Sequence, residues 1–210
     1  MCARKGEGDV MGKDWVGNKN SVFKALSASN HTREVRESDD YYATDPIAAE
    51  LLCEVEQFQN NIWECSVGEG HLAKVFTSKG YNVYATDLID RGYGIGGVDF
   101  LDCNEPFDGD IITNPPYKYA TAFVEKSMEL LKDGAKLALF VKIQFLETKG
   151  RKSLFEKYPP KVIYVSSSRI LCAKNGDFQK AKDNGGSAVA YIWCVWEKGY
   201  KGDTVVKWIN

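Results

Sequence analysis

Residues 110–121 read DIITNPPYKYAT, an apolar run followed by a carboxamide, two prolines and a phenol. Consecutive prolines can neither donate to a sheet ladder nor continue a helix, so a strand entering this stretch must stop at Thr113 or Asn114. A residue before proline is driven to extended geometry, which projects Asn114 beyond the strand end. Upstream, WECSVGEGHLA places Gly68 and Gly70 between an apolar run and a helical pattern, where glycine lets the backbone turn sharply and approach a ligand. With Ala73 the spacing is G-x-G-x-x-A, which a dinucleotide fold also uses, so the turn alone discriminates weakly. Acids narrow the choice. Glu64 precedes the glycines, Asp87 ends the next apolar run, and Asp99 lies in the short VDFL run after it. A carboxylate at the second strand end suits the two hydroxyls of a ribose, and Asp99 could accept from an adenine amine. One such acid reads as an exposed loop carboxylate; three at successive strand ends favour an adenosine-bearing ligand.

These residues need a frame. Asp45-Pro46 is a helix start, a capping carboxylate followed by proline at the first helical position, and IAAELLCEVEQF has helical apolar spacing. NIWECSV reads as a buried strand, GHLAKVFTSKG as a helix closed by Gly80, and YNVYATD as a second strand. The loop RGYGIGG lies away from a strand-to-helix turn and reads as a flexible loop beside the pocket, leading into VDFL as a short third strand. DGDIITN is a strand, YATAFVEKSMELLKDG a helix with Gly134 as its terminator, AKLALFVKI a strand and KGRKSLFEKY a short helix. KVIYVSS and SAVAYIWCVWE complete the strands. Strands alternating with helices predict an α/β, Rossmann-like doubly wound sheet, seven-stranded and mostly parallel, with ligands at the carboxyl ends of the strands. The final two strands have no strong helix between them, so an antiparallel closing strand is expected. Residues 1–40 are polar and weakly patterned, expected as an N-terminal arm open to disorder with little core of its own; the domain is expected over 41–210.

The chain has 210 residues, enough for one domain with a proper core. No apolar run approaches the length of a membrane span, and MCARKGEGDVMGKDW has no secretory apolar core. Six cysteines, Cys2, Cys53, Cys65, Cys103, Cys172 and Cys194, are scattered without a C-x-x-C, which argues against a disulfide framework and a structural zinc site. No metal is expected, and a reducing cytoplasmic setting fits best. Net charge is −2, but its distribution is uneven: residues 41–141 hold 7 Lys/Arg against 16 Asp/Glu, and residues 142–182 hold 10 against 3. A basic C-terminal third could meet a polyanion, and a solvated charged surface explains it equally well. Lys142, Lys149, Arg151, Lys152, Arg169 and Lys174 are the candidate phosphate contacts; each by itself reads as a solvated cation.

Together these pieces resemble the class I S-adenosylmethionine-dependent methyltransferases, and within them the amino-methyltransferases that modify adenine N6. The resemblance covers about residues 41–197. Glu64 to Gly70 looks like the family's cofactor motif, and Asn114-Pro115-Pro116-Tyr117 like its catalytic N-P-P-Y. YYATDP at 41–46 looks like the segment that closes over the methionine end of the cofactor. The order is similar to small phage and bacterial adenine methyltransferases without a separate target-recognition domain, with the departure that Asp45 separates Thr44 from Pro46. The resemblance implies S-adenosyl-L-methionine as cofactor, held by Tyr42, Thr44, Glu64, Gly68, Gly70, Asp87, Leu88, Asp99, Phe100 and Asn114. It implies DNA, single- or double-stranded, as the partner, with no membrane, and would place the protein in a bacterial cell or a phage-infected host.

An exocyclic amine is a poor nucleophile because its lone pair is delocalised into the ring. Two rigid acceptors, the Asn114 side-chain oxygen and the Pro115 carbonyl, would favour the tetrahedral nitrogen that attacks a sulfonium methyl. Tyr117 offers a face for base stacking, worth roughly 1–3 kcal/mol in nucleic-acid sites. His31, His71 and Asp110 read as structural or surface groups. In similar families the same tetrapeptide serves methylation of a glutamine side chain in release factors, and related forms act on RNA bases, so both stand as rival substrates. A cytosine C5 enzyme needs a Pro-Cys pair, which is absent. A catalytically silent binding domain or a nicotinamide oxidoreductase would leave N-P-P-Y unexplained.

Overall fold

The structure is a computed structural model, and it describes residues 42–174, 176–183 and 189–210. The expected arm at 1–40 therefore lies outside the described residues, as does Tyr41.

Short apolar runs bounded by glycine and proline form the sheet strands. They are β2 (Asn61–Glu64), β3 (Asn82–Ala85), β4 (Asp110–Thr113), β5 (Lys136–Lys142), β6 (Val162–Ser166), β8 (Tyr191–Glu197) and β9 (Val205–Ile209), in the spatial order β3-β2-β4-β5-β8-β6-β9. A separate antiparallel pair joins β1 (Tyr42–Thr44) to β7 (Cys172–Lys174), with Tyr42 opposite Lys174 and Thr44 opposite Cys172. The helices are α1 (Ile47–Val55), α2 (His71–Ser78), α3 (Ala120–Leu130), α4 (Lys152–Lys157) and α5 (Phe178–Asp183). Asp45 accepts from the Ile47 N–H at 3.1 Å, and Pro46 already has helical angles, so α1 begins as its sequence predicts.

The central strands β2, β4, β5 and β8 are buried on both faces, which explains their nearly unbroken apolar runs, whereas β3 and β9 at the edges are largely exposed. Successive side chains supply opposite cores. Ile111, Leu137, Leu139, Cys194 and Trp196 pack with Phe123, Val124 and Met128 of α3. Ile112, Ala138, Phe140, Trp193 and Val195 pack with Leu52 of α1 and Phe76 of α2. The buried indoles keep their N–H groups satisfied: Trp193 donates to the Ala48 carbonyl at 2.9 Å and Trp63 to the Thr86 hydroxyl at 2.9 Å.

Three features differ from the sequence expectation. VDFL is not a strand: Asp99 caps a single 3-10 turn at Phe100–Asp102, accepting from the Leu101 N–H at 2.9 Å. The sheet reaches seven strands through β9, which pairs parallel with β6 along Val162–Ser166. The antiparallel strand, β8, lies inside the sheet, bonded to β5 on one side and β6 on the other. Since β8 opposes both neighbours, β5 and β6 run the same way, and Lys142 and Ser166 lie at the same sheet end as Asn114.

Candidate active site

The sheet reverses its winding between β2 and β4, where Trp63 is opposite Ile111. From β2 the chain steps through α2 to β3 on one side, while β4 and β5 follow on the other. Loops leaving two such strands diverge to opposite faces and open a crevice at their carboxyl ends. Glu64 closes β2 at this crevice, and Asn114 follows β4.

The glycine turn has the backbone that the sequence demands. Gly68 has φ 55° and Gly70 has φ 81°, a left-handed region that side chains disfavour. Asp87 ties the turn to the neighbouring strand end: one oxygen accepts from the Gly68 N–H at 2.8 Å, the other from Ile89 N–H at 2.9 Å and Arg91 at 3.4 Å. Leu88 beside it is 56% exposed. The loop RGYGIGG folds back onto this turn. A β-carbon on Gly70 would lie 2.6 Å from the Tyr93 ring, and the Lys74 ammonium stands 5.1 Å from that ring's centroid. Tyr93 is thus a site-lining residue that composition hides; its one sequence signal is an aromatic residue set among glycines.

Glu64 is 2% exposed, and one of its oxygens is buried without a hydrogen-bond partner. Burial raises its carboxyl well above the ordinary value, the Ala73 N–H pulls the other way, and the Asp87 charge adds to the rise. Asp110, at the opposite end of β4, accepts from the Gln59 and Lys136 N–H groups, both at 2.6 Å. These bonds tie the start of β4 to its neighbours, at the end of the strand away from Asn114.

Asn114 is half-buried and directed by β1. Its amide nitrogen donates to the Thr44 hydroxyl at 2.8 Å and to the Tyr42 carbonyl at 3.4 Å. Its Oδ1 is buried and has no partner. A carbonyl can only accept, so the amide edge facing Tyr42 must be the NH₂ edge, and Oδ1 faces the other way. Pro115 is buried, and the Pro116 carbonyl accepts from Tyr119 N–H at 2.8 Å, shaping the turn that leads into α3. Tyr117 lies between Tyr42 and Tyr191, with ring centroids 6.3 and 6.1 Å away. Its phenol is pushed up chiefly by burial, with Cys172 and Tyr191 adding to the rise. Burial likewise pushes the Cys172 thiol up to about 11. The Lys142 ammonium stands over the Tyr117 ring, 4.4 Å from its centroid.

The remaining expected residues separate. Asp99 is half-buried, whereas Phe100 turns into the core, 5.2 Å from the Trp63 ring and 4.8 Å from the Phe123 ring. Lys149 and Lys152 are exposed and line an open groove of about 440 Å³ with Leu146, Thr148 and Phe155. Arg151 spends one guanidinium nitrogen on the Gln144 and Phe145 carbonyls and the Thr148 hydroxyl, at 3.0–3.2 Å, holding its own loop together. Arg169 is exposed beyond β6; Lys174 is placed by its backbone in β7. His71 begins α2, with its ring edge-on to Phe178 and Nε2 3.3 Å from Glu69. His31 lies outside the described residues. Among the described residues no group of three or more His, Cys, Asp or Glu is placed to hold a metal ion, and no helix is long and apolar enough to cross a membrane.

No protein-family model and no curated protein matches the chain. Solved structures do match its fold. A Lactococcus lactis protein described as a hemolysin aligns with TM-score 0.54 and 14% identity, over 77% of this chain and 91% of the other. A Listeria monocytogenes protein described as a class I S-adenosylmethionine-dependent methyltransferase aligns with TM-score 0.50 and 16% identity, over 90% of this chain and 71% of the other. A modification subunit described as part of a type I restriction enzyme of Vibrio vulnificus aligns with TM-score 0.50 and 14% identity, over 82% of this chain and 47% of the other. At these identities the likeness establishes the fold: a Rossmann-like, doubly wound sheet shared with class I methyltransferases.

Proposed function

We propose that this protein is an S-adenosylmethionine-dependent methyltransferase acting on the N6 amino group of adenine in DNA. The observation that carries the proposal is Asn114: its carboxamide nitrogen is tied down by β1 while its oxygen is a buried acceptor without a partner. A buried unpartnered acceptor is costly and calls for a donor, and an exocyclic amine supplies two. A second unpartnered buried oxygen, on Glu64, lies at the neighbouring strand end beside the glycine turn and fits the cofactor's cationic end.

The cofactor supplies an electrophilic methyl group. Glu64, Gly68, Gly70, Asp87 and Leu88 are the residues assigned to hold it at the crevice, with Tyr42 and Asp99 at its borders. Asn114 Oδ1 and the Pro115 carbonyl accept the two hydrogens of the target amine, which keeps the nitrogen lone pair out of conjugation and aimed outward. Strand end and prolines fix both acceptors before the substrate arrives, so little reorganisation remains for the transition state. Methyl transfer leaves the amine nitrogen cationic, and it gives up one hydrogen as a proton to water afterwards, so no tuned general base is required. Tyr117 supplies the stacking face for the extruded base. Lys142 covers that face here, and a phosphate beside the base would draw the ammonium off the ring.

DNA is favoured by the basic stretch around Lys142, Lys149, Lys152, Arg169 and Lys174, and by the fold shared with a restriction-modification subunit. Labelled methyl transfer is measured on single- and double-stranded adenine DNA, cytosine DNA, RNA and a release factor. Label is expected on adenine N6, and Asn114→Ala abolishes it while cofactor binding persists. Label found only on protein, or only on cytosine, refutes the substrate assignment.

A further inference from the structure

The resemblance makes Thr44 a cofactor contact. Its surroundings assign it differently. Thr44 is 3% exposed, and its hydroxyl is 2.8 Å from the Asn114 amide nitrogen, across 70 residues of chain. The second contact on that nitrogen is the Tyr42 carbonyl, at 3.4 Å. Both acceptors belong to β1, which is held in place by its antiparallel pairing with β7, Thr44 opposite Cys172. A carboxamide has two nearly isosteric orientations, and only the contacts at its edges choose between them. The flipped orientation would set Asn114 Oδ1 against the Tyr42 carbonyl oxygen, which can only accept, whereas the Thr44 hydroxyl can accept or donate. The observed orientation leaves Oδ1 as the buried acceptor without a partner.

We propose that Thr44 is a positioning residue for Asn114: its hydroxyl takes the shorter hydrogen bond and pins the carboxamide in the sense that the Tyr42 carbonyl sets, so that the oxygen meets the substrate amine. Tyr42 contributes through its backbone, so a side-chain change at that position leaves its contact in place, whereas Thr44 contributes through a hydroxyl that substitution removes. The Tyr42 carbonyl, which can only accept, decides which edge faces β1, and the shorter Thr44 bond is the principal tether that holds the carboxamide there. The inference rests on Asn114 acting through Oδ1, as set out above.

Thr44→Val keeps the β-branched shape and removes the acceptor; Thr44→Ser restores it. Each variant is measured for turnover at saturating cofactor and DNA, for cofactor affinity by calorimetry, and for the ¹⁵N-labelled Asn114 side-chain amide by NMR without any substrate. Thr44→Val is expected to lower kcat roughly 10- to 100-fold, in line with the cost of misplacing a reacting group. Cofactor affinity stays unchanged, the Asn114 NH₂ signals shift, and Thr44→Ser restores both turnover and signals. Weakened cofactor affinity with kcat preserved would show that Thr44 is the cofactor contact the resemblance implies, and would overturn the inference. Unshifted Asn114 signals in a folded Thr44→Val protein would overturn it as well. The NMR arm needs no substrate: if the wild-type protein methylates no adenine, the functional proposal fails while the Thr44 contact is still decided.

Discussion

Replacing Glu64 by glutamine should make the protein more stable above neutral pH. Glu64 is buried at the end of β2, with the Ala73 N–H as its backbone donor and one oxygen without a partner. The folded chain therefore holds this carboxyl protonated to higher pH than the unfolded chain, whose value is near 4.5. Where the folded state binds more protons than the unfolded one, stability falls as pH rises. The loss begins above the unfolded value, grows toward the raised folded value and then levels off; below the unfolded value both states are protonated and the term vanishes. Glutamine keeps an acceptor for Ala73 and carries no charge, so its curve lacks this slope. A buried acceptor left unpaired costs about 1–3 kcal/mol, and an ionised one more. For a domain of this size each kcal/mol is worth about 2–4 °C, so the gap at pH 8 should be about 2–12 °C and should close by about pH 4.5. The assay is thermal unfolding of wild type and Glu64→Gln from pH 4.5 to 8.5 at constant ionic strength. Parallel curves, or a wild type that gains on the variant as pH rises, would show that Glu64 is not a desolvated carboxyl and would remove it from the crevice as described.

Gly70→Ala is expected to destabilise by at least about 1 kcal/mol in urea denaturation, because φ is positive and the new β-carbon strikes the Tyr93 ring. Gly70→Ala combined with Tyr93→Ala should recover the clash but not the backbone strain; full recovery would mean that the left-handed geometry at Gly70 costs nothing. Lys142→Met removes the ammonium over Tyr117, so the slope of log K for DNA against log salt should fall by about 1. An unchanged slope, measured by fluorescence anisotropy across a salt series, would leave Lys142 with no phosphate to hold.

Much of the frame is written locally. Paired prolines end β4 at Thr113, Asp45-Pro46 starts α1, and the left-handed glycines turn β2 toward α2; each follows from steric rules acting within a few residues. Alternating apolar runs separated by helical patterns are enough for a doubly wound sheet, because burying both strand faces demands helices on both sides. What the sequence could not reveal depends on partners far along the chain. VVKWI shows five residues of strand pattern but no sign that β6 would pair with it, and VDFL, equally strand-like, has no such partner and closes into a turn. Phe100 was legible as the neighbour of an acid; its descent between Trp63 and Phe123 is a matter of packing. Asn114 shows the division most sharply. Its residue type and the prolines after it determine that a carboxamide stands at the strand end. Which edge of that carboxamide faces β1 is decided by the acceptor-only carbonyl of Tyr42, 72 residues away, with the Thr44 hydroxyl, 70 residues away, as the shorter tether, both on the strand that pairs with β7. Hydrogen-bond direction is a property of the assembled neighbours, and no local pattern encodes it.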